Sequence, residues 1–259
     1  MPSKQPLSNG VARTTTGEEL TISIPEVPVT QEHPPWTQHK NVKQAGLARA
    51  NAAVTESNPH GTTEGNYTED HSNQTVLQQH VDFFDINKDG VITPFETFIA
   101  LRSINWSILL TIIAVLFIHG GLSYATLDPG NILPDPFFRI YVRNIHRAKH
   151  GSDTATYDSE GRFRPQMFED IFAKWGEKKE DGQWGITFRQ ALQAIKGNRS
   201  FMDLFGMSAA IFEWFATYVT IWPEDGVMML EDVRAVYDGS YFYKVADKCK
   251  PAIATTKEE

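Results

Sequence analysis

Cysteine is nearly absent from this chain, and its scarcity narrows the classes of protein that the sequence can encode. The 259 residues contain a single cysteine, Cys249. An internal disulfide is therefore excluded, and so is a zinc site built from cysteine pairs. The N-terminus lacks the apolar stretch of a secretory signal, so we expect no cleaved signal peptide. Basic residues are also outnumbered, since the net charge is -8. An acidic surface repels nucleic acid, so we expect no nucleic-acid partner.

No Asp, Glu, Lys or Arg occurs from Ser103 to Leu127, so this part of the chain is uncharged and largely apolar. Within it, the run from Ile108 to Ile118 is followed by three prolines, Pro129, Pro134 and Pro136. This run of eleven residues is shorter than the roughly 20 that span a bilayer as a helix. Three structures remain open for the segment: a buried core helix, a re-entrant hairpin or a half-inserted anchor. A hairpin that turns at the prolines suits a phospholipid monolayer or membrane surface, and we favour such insertion.

The composition divides the chain into five segments. Residues 1–74 are rich in Thr, Ser, Asn, Pro, Gly and Gln and lack apolar periodicity, which predicts a disordered or weakly structured N-terminal extension. Residues 75–104 have helical periodicity on both sides of a short loop. Residues 105–136 form the apolar segment, residues 137–250 have the pattern of a soluble helical domain, and residues 251–259 form a tail. The fold class that we expect is mainly α.

The loop from Asp85 to Glu96 matches the twelve-residue pattern of a calcium-binding EF-hand at every specified position. Calcium takes six to eight oxygen ligands. The expected ligands are the side chains of Asp85, Asn87 and Asp89, the carbonyl of Val91, a water held by Thr93, and the bidentate carboxylate of Glu96. Ile92 lies where paired loops make a short strand contact. A decayed loop without metal is the alternative, but matches at all of these positions favour a calcium or magnesium site.

Three weaker glycine turns follow, at Gly161, Gly185 and Gly226, and each precedes a helix-like run. The position of the closing glutamate holds other residues in these turns, namely Met167, Ala191 and Asp232. We interpret the turns as degenerate EF-hand-like helix–loop–helix units that do not coordinate metal normally. The helix-like runs are Phe168–Trp175, Phe188–Ile195 and Leu230–Tyr237.

Two histidine sites carry the remaining chemical signal. His80 shares the apolar face of the helix before the loop with Leu77, Val81 and Phe84. A charged imidazole is costly there, so we expect a neutral, partnered ring that is either a core histidine or a metal or haem ligand. His146 and His150 are four residues apart, a spacing that can hold zinc, although further ligands are not identifiable.

A basic patch runs from Arg139 to His150, with Arg139, Arg143, Arg147 and Lys149 and no acidic residue. Such a patch next to an apolar segment suits anionic headgroups or carboxylates, whereas the alternative is a solvated basic face.

Together these motifs resemble one family, the caleosins, also called peroxygenases. The resemblance covers about residues 75–245 in family order. It rests on the calcium loop and on five further stretches: Leu77–Asp85, Leu122–Leu127 with its proline turn, Asn144–Asp153, Tyr157–Phe163 and Tyr237–Phe242. The N-terminal extension lies outside the resemblance, and the proline spacing departs somewhat from the family's pattern.

The resemblance implies a calcium-dependent haem peroxygenase on lipid droplets or on the endoplasmic reticulum or microsomal membrane. Oxygen would pass from a fatty-acid hydroperoxide to an unsaturated fatty acid or another acceptor, with calcium and haem b as cofactors. The family's haem histidines fall on His80 and His150; one would be the proximal ligand, the other labile or a distal acid–base, and either order is open. Arg139, Arg143 and Arg147 would pair with haem propionates or a substrate carboxylate. The alternative function is a calcium-responsive coat protein of lipid droplets with little or no catalysis. Whether the chain forms homo-oligomers stays open.

Overall fold

Helices dominate the described part of the chain, which comprises residues 11–13, 19–21 and 51–250 of a computed structural model. Residues 1–10, 14–18, 22–50 and 251–259, and most of the predicted extension with them, lie outside it. The α-helices are α1 Tyr67–Asp70, α2 Val76–Asp82, α3 Pro94–Ser103, α4 Ile108–Leu122, α5 Pro165–Trp175, α6 Phe188–Asn198, α7 Leu204–Ile221, α8 Leu230–Asp238 and α9 Ser240–Cys249. Short 3₁₀ helices cover Glu64–Asn66 and Val142–Ala148. The strands are β1 Val11–Arg13, β2 Glu19–Thr21, β3 Val91–Ile92, β4 Ile140–Tyr141, β5 Glu177–Lys178, β6 Trp184–Thr187 and β7 Val227–Met229.

The predicted calcium loop joins α2 to α3, and local capping fixes both helix ends. Thr75 caps α2 and Thr93 caps α3, each in a reciprocal capping box, with Pro94 in the first turn of α3. Such boxes satisfy main-chain N–H groups that a helix start leaves unpaired. The strand contact expected at Ile92 is present, because β3 pairs antiparallel with β4 through Ile92 and Ile140. The partner is not another loop but the segment that follows the prolines.

The C-terminal half contains two helix–loop–helix units joined by a small sheet. Helices α5 and α6 flank β6, α7 and α8 flank β7, and the two strands pair antiparallel with Ile186 opposite Met228. Both side chains are fully buried beside Phe168 and Phe172. A helix–loop–helix unit therefore surrounds Gly185 and another surrounds Gly226, and the three predicted helix-like runs coincide with α5, α6 and α8.

The prediction for Gly161 is wrong in its geometry. Gly161 lies in a hairpin turn closed by a bridge between Tyr157 and Phe163, and a 3₁₀ helix rather than an α-helix precedes it. Its φ of +84° and the hydrogen bond from its N–H to the carbonyl of Asp158 explain why glycine occupies this turn. The turn contacts α2, since Leu77 donates its N–H to the carbonyl of Gly161.

Residues 51–74, which the composition predicts to be disordered, pack against α8 instead. Ala53 and Tyr67 are buried. The hydroxyl of Thr55 donates to Glu231 at 2.8 Å, and that of Tyr67 donates to the carbonyl of Asp238 at 2.7 Å. Polar hydrogen bonds hold this segment, so it has no apolar period that sequence analysis could detect. The ordered domain therefore begins before residue 75.

The apolar segment forms a helix of 15 residues, α4, with two unlike faces. Thr111, Ala114 and His119 are buried against the protein, whereas Leu109 and Leu116 are each 70% exposed. The ring of His119 contacts the hydroxyl of Thr97 at 2.8 Å and the carbonyl of Phe138 at 2.6 Å. The helix is thus neither a fully buried core helix nor a free anchor, because one side packs and the other is bare.

The prolines lie beyond α4 in an irregular segment rather than in the turn of a helical hairpin. Arg139 holds Asp135 of this segment at 2.7 Å, and Arg143 pairs with Asp128. Within the described residues, one helix is long and apolar enough to cross a membrane by length and composition, and it is α7 rather than α4. The sequence interpretation overlooked α7.

Candidate active site and metal loop

A cavity of about 270 Å³ lies between α4, α7, α8 and the unit formed by α2, the predicted calcium loop and α3. Most of its wall is apolar, including Phe84, Trp106 and Phe242. Both predicted haem histidines, His80 and His150, line this one cavity although they are 70 residues apart in sequence. The structure therefore brings together the two residues that the resemblance singled out. A mostly apolar cavity with few polar groups is the usual form of a small-molecule site.

His80 lines the cavity, and one of its ring nitrogens is hydrogen-bonded. That nitrogen, Nδ1, lies 2.7 Å from the carbonyl of Val236. A carbonyl can only accept, so Nδ1 carries the proton and Nε2 carries the lone pair. Burial lowers the pKa of His80, and the Val236 carbonyl offsets this only in part. The expected neutral, partnered imidazole is confirmed, and Phe242 packs edge-on against the ring at 5.4 Å.

His150 has the opposite protonation state. Its Nδ1 bonds the carbonyl of Gly151 at 2.7 Å, and its Nε2 bonds the carboxylate of Glu213 at 3.0 Å. Two acceptors require two N–H donors, so the ring is an imidazolium. Burial alone would lower the pKa of His150, but the hydrogen bond and charge of Glu213 outweigh it and raise the pKa to about 9. His150 therefore holds a proton at Nε2 on the cavity wall.

Glu213 is the functional residue that the sequence interpretation missed. It is the one charged side chain in α7, an otherwise uncharged helix of 18 residues. A lone carboxylate in an apolar helix calls for a partner, and that signal was available in the sequence. The partner, His150, lies on a distant loop and could not be identified without the fold.

His146 and the arginines lie elsewhere than the sequence suggested. Among the described residues, the cavity wall includes His150 but not His146, and the 3₁₀ helix ends at Ala148, so the two rings do not share an α-helical face. No cluster of three or more His, Cys, Asp or Glu in this part of the chain could hold zinc. Arg139 and Arg143 pair with Asp135 and Asp128, and Arg147 donates to the carbonyl of Leu127. These three side chains fasten the proline segment.

In the calcium loop, the predicted ligands bond to the loop itself. Asp85 accepts the N–H groups of Asp89 and Gly90 at 3.2 and 2.8 Å. Asp89 accepts the N–H of Val91 and a side-chain bond from Asn87. Within the described residues, no group of three or more His, Cys, Asp or Glu side chains lies in a metal-binding arrangement.

Glu96 and Thr93 complete the loop. One oxygen of Glu96 accepts the N–H of Thr93 at 2.9 Å, and the other accepts that of Asn87 at 3.4 Å. Burial raises the pKa of Asp85, and the negative charges of Asp89 and Glu96 raise it further. A divalent cation would neutralise the repulsion among these carboxylates, and a loop rich in oxygen atoms supplies the ligands that a hard cation prefers. Thr93 is occupied as the cap of α3, so its role through a water stays a prediction.

The loop and the cavity share residues. Ile92 of the loop lines the cavity, as do Val81 and Phe84 from the end of α2. Lys88 of the loop holds the carboxylate of Asp82 at 2.5 Å, and Tyr243 donates to the same oxygen at 2.9 Å. The last turn of α2, which carries His80, is thereby tied to the loop.

The fold and site define a class: a helical protein with a histidine-bearing apolar cavity behind a carboxylate-rich loop. The family model described as caleosin related protein matches residues 72–246. The chain belongs to the caleosin family.

Curated relatives agree with this assignment. The chain is 38% identical to a peroxygenase of Lilium longiflorum over 221 residues, which cover 85% of this chain and 89% of the relative. It is 41% identical to probable peroxygenase 4 of Arabidopsis thaliana over 65% of this chain and 84% of the relative. It is also 30% identical to a probable inactive peroxygenase-like protein of Arabidopsis thaliana over 56% of this chain and 66% of the relative. No solved structure matches the chain.

Proposed function

We propose that this protein is a calcium-dependent haem peroxygenase that acts on fatty-acid hydroperoxides at a lipid surface. The observation that carries the proposal is that two histidines in different protonation states, neutral His80 and protonated His150, line one apolar cavity. Relatives named peroxygenase support the reaction class. The oxygen acceptor that we propose is an unsaturated fatty acid, which would give an epoxide.

Haem b fits the donor set on the His80 side. The Val236 carbonyl fixes the tautomer of the ring, which lines the cavity, so the Nε2 lone pair is available to a metal. Metal-bound histidines in proteins are commonly held by such a second bond to a carbonyl. We therefore assign His80 as the residue that would hold the haem iron. A haem bound there would supply the redox chemistry of O–O cleavage and oxygen transfer.

His150 and Glu213 would handle the protons. His150 Nε2 could hold iron only if it left Glu213 and lost its proton, so we assign His150 to proton transfer rather than to holding the haem. Because His150 is already protonated, it would act as the acid that donates a proton to the leaving alcohol oxygen, and the hydroperoxide's own proton would then restore the imidazolium. The carboxylate of Glu213 is solvent-exposed and bonded to His150, so it can pass a proton between solvent and the Nε2 atom of His150. The apolar wall excludes water from the acyl chain.

Calcium would act on this site through α2. A cation bound by Asp85, Asn87, Asp89, Val91 and Glu96 would fix the loop that holds Asp82 at the end of α2. Metal binding and local folding are coupled in this way, and a small displacement of a positioned ligand weakens its effect. Calcium dependence of the haem environment follows from this coupling.

A lipid-droplet or endoplasmic-reticulum location is part of the proposal. The bare face of α4 and the apolar residues of α7 support it. Fatty-acid hydroperoxides and unsaturated fatty acids concentrate in such a surface, so docking would place the enzyme beside its substrates.

The test compares His80→Ala, His150→Ala and His146→Ala in the full chain. We expect His80→Ala to lose the Soret band, because it removes the residue that would hold the haem iron. His150→Ala should keep the band but lose most epoxide formation from oleic acid with an organic hydroperoxide. His146→Ala is the matched control and should resemble the wild type. A Soret band retained in His80→Ala, or equal turnover in all three variants, would contradict the assignment.

The same protein in chelator tests the calcium coupling. We expect a shifted Soret band and lower turnover without calcium, although no haem ligand is altered. The coat-protein alternative is favoured by one observation, the similarity to a relative named inactive. A wild-type protein without a Soret band in calcium would support that alternative.

A further inference from the structure

We propose that the acyl chain of the substrate enters the cavity through a portal between α4 and α7, directly from the lipid surface. The rim of this portal is formed by Gly121 and Phe205. The inference rests on the proposed function, because it names the route by which that function's substrate reaches its site.

Two aromatic side chains belong both to the cavity wall and to the protein surface. Phe117 of α4 is 37% exposed and Phe205 of α7 is 55% exposed, yet both line the cavity. A side chain can do both only where the cavity meets the outside. Phe117 also stacks on Phe212 of α7, with ring centroids 4.4 Å apart, so the two helices face each other here.

Gly121 leaves a gap opposite Phe205. Gly121 lines the cavity, and a methyl group at this position would meet the tip of the Phe205 ring at 3.5 Å. That is ordinary contact, so alanine would touch the ring and a larger side chain would fill the space. Inside the rim, His150 lies edge-on to Phe205 with ring centroids 6.4 Å apart. A chain passing the portal therefore reaches the His150–Glu213 pair.

The outer surface around the portal is apolar on both helices. Leu109 and Leu116 of α4 are each 70% exposed; Leu204, the first residue of α7, is 73% exposed, and Phe201 in the turn before it is 95% exposed. Only 28% of α7 is buried. The exposed apolar surface thus continues into the cavity wall, which is the arrangement that an acyl chain needs to move inward without crossing water.

The charge around this surface suits a phospholipid monolayer. From residue 97 to residue 150 there are five basic side chains and two acidic ones, in a chain of net charge -8. Three of the basic side chains pair with Asp128, Asp135 and Asp153, whereas Arg102 and Arg147 bond to main-chain carbonyls and keep their charge uncompensated there. Basic residues beside an apolar surface attract anionic headgroups. The charged residues in this stretch are Arg102, Arg139, Arg143, Arg147, Lys149, Asp128 and Asp135.

The test closes the portal with Gly121→Leu and uses Gly120→Leu as its control. Leucine is a better helix former than glycine, so both variants should fold. A side chain at Gly120 meets nothing within 4 Å and leaves the portal open. We expect Gly121→Leu to weaken binding of cis-parinaric acid, a fluorescent long-chain fatty acid, about tenfold. Its KM for a long-chain hydroperoxide should rise by a similar factor, and by much more than its KM for tert-butyl hydroperoxide.

The outcomes separate the portal from the proposed function. If wild-type protein lacks hydroperoxide turnover, the proposed function fails. If the wild type is active and Gly121→Leu binds parinaric acid as tightly as Gly120→Leu does, the portal is overturned. Equal loss of long and short hydroperoxide turnover in Gly121→Leu would also overturn it. Phe205→Ala provides a second variant that widens the rim, and it should accelerate parinaric acid binding; an unchanged rate would count against the portal.

Discussion

His80 and His150 illustrate how a single contact sets the chemistry of a residue. Both rings are largely enclosed and line the same cavity. His80 faces a main-chain carbonyl, which offers no charge, so burial prevails and the ring is neutral. His150 faces the carboxylate of Glu213, and that charge outweighs burial. Either histidine would take the other role if the partners were exchanged.

Glu213→Gln should return His150 to the neutral state near physiological pH. The amide removes the negative charge, while burial still lowers the pKa, so we expect it to fall from about 9 to 6.5 or below. Histidine NMR titration of the haem-free protein would measure this. Glu224→Gln, an exposed substitution just beyond α7, is the control. An unchanged titration of His150 in Glu213→Gln would show that another group holds its proton.

The same shift gives stability a pH dependence with a definite sign. The pKa of folded His150 lies above its ordinary value of 6.5. The His150–Glu213 pair therefore contributes fully below about pH 6.5, and its contribution is lost as the pH rises through about 9. Since Glu213 is exposed, solvent screens the pair and the effect on unfolding is modest.

At the scale of elements, predictions succeeded where the signal was local. Residues close together in sequence determine the apolar periodicity of α5, α6 and α8. They also determine the helix caps at Thr75 and Thr93. The cavity histidines were identified by resemblance and by the misplaced polarity of His80. The hairpin at Gly161, by contrast, depends on which chain segments lie beside it. No local pattern distinguishes that turn from a helix–loop–helix unit.

Residues 51–70 escaped prediction for the same reason. This segment crosses α8 and is held by polar partners at distant positions. Arg234 donates to the carbonyl of Ala53 and to the hydroxyl of Thr62, and Thr62 donates to Asp238 at 2.6 Å. Composition measures apolar content, so it assigns such a segment to disorder.

Tyr67→Phe should destabilise the fold measurably. The change removes a buried hydrogen bond to the carbonyl of Asp238 and leaves that acceptor with one partner fewer. We expect a loss of about 1 kcal/mol in the free energy of unfolding. Urea denaturation followed by circular dichroism measures it. Tyr124→Phe, an exposed residue with only a long 3.4 Å contact to the carbonyl of Ile132, should leave stability unchanged. Equal stability of the wild type and Tyr67→Phe would mean that this segment contributes little.

For the whole molecule, the apolar face of α4 and α7 is the feature that distinguishes it from an ordinary soluble domain. Deleting the segment around α4 would not test its role, because Ala114 and His119 belong to the core. Changes confined to the exposed face separate lipid binding from folding.

Leu109→Asp combined with Leu116→Asp should abolish association with vesicles of phosphatidylcholine and phosphatidylserine. Both side chains are bare, so the fold should tolerate the change, whereas two carboxylates would oppose insertion among anionic headgroups. Flotation on a density gradient gives the readout. Gln193→Asp with Asn198→Asp adds the same charge on exposed positions of α6 and serves as the control. Flotation of the Leu109/Leu116 variant with vesicles would place the lipid contact on another surface.

The pairing of β3 with β4 links two events that are usually considered separately. Ile92 belongs to the predicted calcium loop, and Ile140 follows the proline segment. An ion that ordered one strand and a monolayer that ordered the other would act on the same backbone ladder. Thermodynamic reciprocity then requires that any factor by which calcium tightens lipid binding is the factor by which lipid tightens calcium binding.

Two affinity ratios test this coupling. Calorimetry gives the ratio of calcium affinities with and without vesicles, and vesicle partitioning gives the ratio of lipid affinities with and without calcium. The two ratios should match and exceed one. Glu96→Gln should bring both ratios to one together, whereas ratios of one in the wild type would mean that the two strands respond independently. A droplet surface would then set the calcium concentration at which the protein responds, so that the same cell signal is read differently on lipid and in the cytosol.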